Sequence, residues 1–135
     1  MEIKDILLIT LPIISSYLTY FLTSRAKRDD AIFKYKEEKY GNLILLIQGF
    51  LDSGSKNTTE MKEKFFEEQY KSWLYSSDEV ILATNNMVNT LILLKDVKVD
   101  SELVGDIVIA MRKDMLGKTN LSSSDFRYTV VGNGK

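Results

Sequence analysis

Hydrophobic residues are unevenly spread along this 135-residue chain, and their spacing predicts helices almost throughout. The chain opens with an apolar stretch from Ile6 to Ser24, and no charged residue lies between Asp5 and Arg25. These roughly 19 residues, at about 1.5 Å each, span about 28 Å, close to the roughly 30 Å hydrocarbon core of a bilayer. The pattern therefore predicts an N-terminal transmembrane anchor over residues 1–24.

The same apolar stretch has two alternative interpretations. A cleaved signal peptide carries its basic residues before the apolar region, whereas the basic cluster here follows it. A hydrophobic helix buried inside a soluble oligomer is the stronger alternative, because the stretch is short for a span and carries several Thr and Ser residues. The anchor is the interpretation that we carry forward.

Basic residues flanking the stretch predict its orientation. Lys4 alone precedes it, whereas Arg25, Lys27 and Arg28 follow it directly. Since Lys and Arg near a span favour the cytoplasmic side, we expect a single-pass cell-membrane protein with a cytoplasmic C-terminal domain. Membrane lipid is then the first expected partner, because these side chains can attract anionic headgroups.

Small residues mark one face of the predicted anchor. Pro12, Ser16, Thr19 and Thr23 are separated by four, three and four positions, which places them on one side of a helix. Such residues let helices approach closely in lipid, so this face is a candidate for self-association into a homo-oligomer. Alternatively, the hydroxyls bond to their own helix and face lipid.

Helical periodicity continues after the anchor. Phe33, Tyr40 and Ile47 recur every seven residues, so the anchor helix is expected to extend to a loop signal near Asp52. Three more helices are expected: one with the face Met61, Phe65, Phe66, Tyr70, Trp73 and Leu74, one over Val80–Leu94, and one over Leu103–Leu116 with Gly117 as its stop. The aromatic residues of the first are interpreted as core rather than as a ligand site.

The predicted fold class is all-α, with a transmembrane helix that continues into a small cytosolic bundle of about four helices. The bundle is expected over residues 25–117 and a C-terminal tail over residues 118–135. In the tail, Phe126, Tyr128 and Val130 alternate with other residues, but the chain offers no partner strand. We expect the tail to pack on the bundle or to pair with another copy.

The composition excludes much chemistry, because the chain contains neither histidine nor cysteine. Cysteine nucleophiles, Ser-His-Asp triads and Cys/His zinc sites are ruled out. Adjacent carboxylates such as Glu67 and Glu68 point about 100° apart on a helix, which is unsuited to paired acid–base catalysis. The formal net charge of −1 gives no strong field for nucleic acid. We predict a protein that is not an enzyme, with no cofactor and no metal.

Arg112 and Lys113, near the end of the last predicted helix, form the most interesting polar cluster with Asp114. Basic residues at a helix C-terminus interact favourably with the helix dipole, which is a sufficient structural reason for them. Docking of an anionic ligand or a protein partner is the sharper hypothesis.

Three features of the chain together resemble a group of short prokaryotic proteins of uncharacterised function. They are the basic-flanked anchor, the aromatic stretch from Phe65 to Glu79, and Met111–Asp114 followed by Gly117. The resemblance implies one N-terminal anchor and a helical cytosolic domain over most of the chain, and it assigns no site residue. The expected function is a membrane-tethered helical module that self-associates or docks a partner at the cytoplasmic face. The alternative is an oligomerising effector that disrupts or gates the membrane, of a toxin or defence type.

Overall fold

The computed structural model describes residues 2–51, 58–93 and 101–127. They form four α-helices and one short 3-10 helix: α1 (Ile3–Leu51), α2 (Thr58–Ser72), α3 (Asp78–Leu93), α4 (Ser101–Leu116) and the 3-10 helix Ser123–Asp125. Within these ranges there is no strand. The all-helical prediction is therefore confirmed for the described residues.

The chain divides into two compact units, Met1–Tyr35 and Lys36–Lys135, which we call the first and second unit. Helix α1 supplies the whole helical part of the first unit and continues as the first helix of the second. The predicted division into residues 1–24, 25–117 and 118–135 refers to the membrane as well as to packing, and it stays a prediction.

The core of the second unit is built from all four helices. Its buried side chains are Tyr40, Leu43 and Ile47 of α1, Phe65 of α2, Val80 and Met87 of α3, and Val104, Ile107, Ala110 and Met111 of α4. In α1 these residues recur every three or four positions, as the side of a helix that faces other helices should. Tyr40 and Ile47 belong to the seven-residue repeat seen in the sequence.

Three phenylalanines join α1 to α2. The ring centroid of Phe50 lies 5.1 Å from that of Phe65 and 5.8 Å from that of Phe66, both in edge-to-face geometry. Such pairs add about 0.5 to 1.5 kcal/mol to the burial of the rings themselves. The prediction of core packing holds for Phe65, which is fully buried.

Phe66 is partly buried against the core, but the same prediction is wrong for the C-terminal part of that face. Tyr70, Trp73 and Leu74 are 73%, 57% and 89% exposed. The buried face of α2 instead contains Phe65, Gln69 and Ser72. Each of these residues directly precedes a residue of the predicted face. Gln69 and Ser72 can be buried because Ser72 Oγ donates to the Gln69 carbonyl at 2.6 Å and Gln69 Nε2 donates to Asn85 Oδ1 of α3 at 3.3 Å.

The predicted end of α4 is confirmed, and α3 and α4 begin two residues before the predicted starts at Val80 and Leu103. Helix α3 begins after Ser77, whose Oγ accepts a hydrogen bond from the Val80 N–H at 3.4 Å. Helix α4 ends at Leu116, and Gly117 follows with φ of +80°, a left-handed conformation that favours glycine. Its N–H donates to the Lys113 carbonyl at 2.9 Å. The predicted end of α3 at Leu94 lies outside the described residues.

The described part of the tail packs on α4, as one of the two predicted arrangements requires. Ser123 Oγ donates to Asp106 Oδ1, and Phe126 packs against the edge of the core. The approach is possible because Gly105 has no side chain: a Cβ there would meet the carbonyl oxygen of Ser123 and lie 3.1 Å from its carbonyl carbon. Tyr128 and Val130 of the predicted alternation lie outside the described residues.

Candidate functional site

The apolar stretch of the first unit is a single exposed helical surface. Helix α1 is long and apolar enough to cross a membrane by length and composition, and none of its most apolar window is buried. Leu8 is 72% exposed, Ile13 64% and Phe21 52%. Pro12 lies inside the helix without ending it. Signal sequences and helices of soluble proteins can have the same length and composition, although a core helix is mostly buried.

The basic residues after this stretch lie on the same helix. Arg25, Lys27 and Arg28 are all exposed in α1. Further along, Lys34 Nζ lies 3.5 Å from Asp30 Oδ2, an exposed pair one helical turn apart. Such pairs contribute only a few tenths of a kcal/mol. The three basic side chains are exposed to solvent, and headgroup binding through them stays a prediction.

The candidate self-association face, Pro12, Ser16, Thr19 and Thr23, is exposed along α1. One of its hydroxyls is already bonded within the helix, since Thr19 Oγ1 donates to the Ser15 carbonyl at 2.9 Å. Thr10, on another side of α1, does the same with the Ile6 carbonyl at 2.8 Å. The back-bonding alternative thus describes Thr19, and self-association through this face stays a prediction.

A partly buried polar cluster joins α1 to α4 at the start of the second unit. Asp114 Oδ2 accepts hydrogen bonds from Lys36 Nζ at 2.8 Å and from the Tyr40 hydroxyl at 2.6 Å. The side chains of Lys36 and Asp114 are only 19% and 14% exposed. Burial, and next the hydrogen bond to Asp114, raise the pKa of Tyr40 well above its usual range. The phenol therefore stays protonated and donates to the carboxylate.

The two basic residues predicted to dock a partner flank this cluster on α4. Arg112 Nε donates to Thr119 Oγ1 at 3.3 Å, and Lys113 Nζ lies 3.9 Å from Glu79 Oε2. These contacts link the end of α4 to the following segment and to α3. The structure therefore gives both residues a structural role, and docking through them stays a prediction.

A groove of about 260 Å³ lies between α1 and α4 in the second unit. Its floor is apolar, with Ile44, Met111 and Met115 among the lining residues, and Glu37 and Arg112 also line it. Sequence reasoning did not find this groove, because it depends on how α4 packs beside α1. Arg112, which lines the groove, belongs to the polar cluster that the sequence indicates, but the sequence does not show which residues lie opposite it.

Comparisons with other proteins leave the family open. No protein-family model matches this chain, and searches of curated proteins and of solved structures give no match either. In the part of the chain that the structure describes, no group of three acidic residues lies close enough to hold a metal ion. The resemblance to short prokaryotic anchored proteins thus depends on the sequence motifs alone.

Proposed function

We propose that this protein is a membrane-tethered, non-catalytic helical module that self-associates or docks a protein partner at the cytoplasmic face. Residues 1–24 are the single-pass anchor, and residues 25–117 are a cytosolic helical bundle that presents the interaction surface. Tethering confines the second unit near the membrane and raises its effective concentration there, so a weak contact becomes populated.

The observation that carries the proposal is the exposure of the apolar side chains of α1. Ten Ile, Leu and Phe residues between Ile6 and Leu22 are each about half exposed or more. Each favours the membrane interior by about 0.3 to 0.6 kcal/mol when placed near its centre, which sums to about 3 to 6 kcal/mol. An apolar surface of this size is unfavourable in water, and the hydrocarbon core of a bilayer is thick enough to bury it.

Two further observations support the interaction role over the membrane-disrupting alternative. The Thr10 and Thr19 hydroxyls donate to carbonyls of their own helix, so neither is left to line a polar path across the bilayer. The polar cluster at Asp114 joins helices, and its groups are mutually paired. A structural role accounts for this pairing without a substrate.

The experiment is membrane fractionation of the full chain. Wild-type protein is expected in the membrane pellet after a carbonate wash, and the double variant Leu11→Lys, Leu18→Lys in the supernatant. The two lysines together cost about 5 to 7 kcal/mol near the centre of a span, which exceeds the roughly 2.4 to 4.8 kcal/mol that the eight remaining apolar residues contribute.

The matched control is Leu82→Lys, Leu45→Lys, which adds the same charge at exposed leucines of the second unit. These two substitutions should leave the protein in the pellet. Wild-type protein in the supernatant would contradict the anchor. Leakage of a trapped dye on expression, lost when Ser16 and Thr19 are replaced by Leu, would favour the membrane-disrupting effector instead.

A further inference from the structure

The groove between α1 and α4 has an unexplained glycine at its edge. Gly41 lies inside α1, where glycine is less favourable than alanine because it loses more backbone freedom on folding. A Cβ at Gly105 would clash with the tail, and Gly117 needs its positive φ. A Cβ at Gly41 would meet nothing within 4 Å, so the described residues give no packing reason for this glycine. A close neighbour from outside the chain would supply one.

The groove is also self-complementary in charge. Glu37 of α1 and Arg112 of α4 line it with opposite signs, around the apolar floor. Within the described residues Glu37 forms no ion pair, and Arg112 uses only one of its five donors, on Thr119. In a two-fold dimer the same patch meets itself, so Glu37 of each copy faces Arg112 of the other. Both ion pairs form at once.

The positions of the groove residues on α1 agree with a pairing of two parallel helices. Glu37 and Ile44, which both line the groove, are separated by seven residues, the repeat that keeps two parallel helices in contact. Two copies in one bilayer are related by an axis along the membrane normal, which makes their α1 helices parallel.

We propose that the occupant of this groove is α1 of a second copy of this chain, packed at Gly41 and held by reciprocal Glu37–Arg112 ion pairs. The proposal rests on the proposed function, because a shared membrane orients the two copies. It identifies the interaction surface as the groove and the partner as the protein itself.

The experiment is co-purification of two differently tagged full-length copies from membranes in mild detergent. Glu37→Arg in both copies, or Arg112→Glu in both, should lower co-purification about tenfold, because two attractive pairs become two repulsive ones. One copy with Glu37→Arg and one with Arg112→Glu should co-purify as wild type does, since both pairs are again of opposite sign.

The matched controls reverse charge at exposed positions that do not line the groove, Glu63→Arg and Lys118→Glu. They should leave co-purification unchanged. Gly41→Leu should lower it about as much as Glu37→Arg, with no loss of thermal stability. Glu37 is exposed, so its variant tests the groove even if Arg112→Glu unfolds the chain.

Four outcomes would overturn the proposal. Two concern wild type: the copies do not co-purify, or they capture only other proteins. Two concern the variants: single-sign variants co-purify as well as wild type, or the mixed pair does not recover co-purification. The fraction in the membrane pellet is measured in every sample. Wild type in the supernatant refutes the anchor, whereas wild type in the pellet with no effect of charge reversal refutes the groove alone.

Discussion

Asp114 holds the second unit together at one point, because two side chains of α1 donate to the same carboxylate oxygen. A carboxylate that is largely buried must have its hydrogen bonds made, since an unpaired charge is far costlier inside a protein than in water. Lys36 and Tyr40 are one turn apart in α1, so both reach Asp114. The three residues thus fix which turn of α4 lies beside the start of α1 in this unit.

Removal of Asp114 should therefore be costly. Asp114→Ala leaves a partly buried ammonium and a buried hydroxyl without their acceptor, and we expect a loss of about 2 kcal/mol in the free energy of unfolding. Denaturant titration followed by circular dichroism measures it. The control is Lys113→Ala, whose ion pair with Glu79 is long and half exposed, and which should change stability by under about 0.5 kcal/mol. Equal effects of the two variants would refute the special role of Asp114.

Tyr40 should make stability depend on alkaline pH. Its folded pKa is raised above the ordinary value of 10.0, first by burial and then by Asp114. The unfolded chain therefore loses this proton at a lower pH than the folded chain does. The contribution is complete below about pH 10 and is lost as pH rises towards the folded pKa.

The measurement is the free energy of unfolding between pH 8 and 11. Wild type should lose stability above about pH 10, and Tyr40→Phe should show a shallower decline over the same range. Tyr70→Phe is the control, because Tyr70 is 73% exposed and its loss should leave the slope unchanged. The same slope in all three proteins would show that Tyr40 does not set it.

Among the helices and loops, a feature can be predicted from the sequence when its physical cause lies within one helix. The Ser77 cap, the Gly117 stop and the Tyr40–Ile47 repeat act within one helix, so local sequence predicts them. The burial of Gln69 was missed because its partner Asn85 lies on another helix, and only packing brings them together. For the same reason the sequence suggested Arg112 and Lys113 but not the acceptor role of Asp114 or the groove.

Gly41 and Gly105 both lie in helices, and they allow the effect of local helix propensity to be compared with that of packing. Gly105→Ala should destabilise the protein by about 1 to 3 kcal/mol, because its Cβ would displace the backbone of Ser123. Gly41→Ala should stabilise the isolated protomer by about 0.5 to 1 kcal/mol, because nothing lies within 4 Å of its Cβ. Thermal unfolding followed by circular dichroism measures both. A destabilising Gly41→Ala in monomeric protein would indicate an internal contact there.

At the scale of the entire chain, α1 supplies residues to both units, since it runs as one helix from Ile3 to Leu51, and we propose that it links lipid to the second unit. Basic residues that follow a span are retained in the cytoplasm, which fixes the side on which the second unit is expected. The proposed dimer then has its partner in the same bilayer and on the same side. Weak reciprocal ion pairs suffice under that confinement.

The orientation can be tested directly, because the chain has no cysteine. Lys27→Cys should react with a membrane-impermeant maleimide only after the cells are opened. Glu2→Cys, before the apolar stretch, is the matched control and should react in intact cells. The reverse pattern would place the second unit outside, and labelling of both positions in intact cells would mean that the apolar stretch does not cross the membrane.

The chain has a single tryptophan, and Trp73 lies in the exposed turn after α2 rather than in the core. Its indole is therefore hydrated in the native protein, so its fluorescence should emit at long wavelength and change little on denaturation. The fluorescence of Trp73 is therefore a poor measure of unfolding but a sensitive measure of binding at this turn. A shift of its emission to the blue, with helicity constant, would register lipid or protein arriving at this turn.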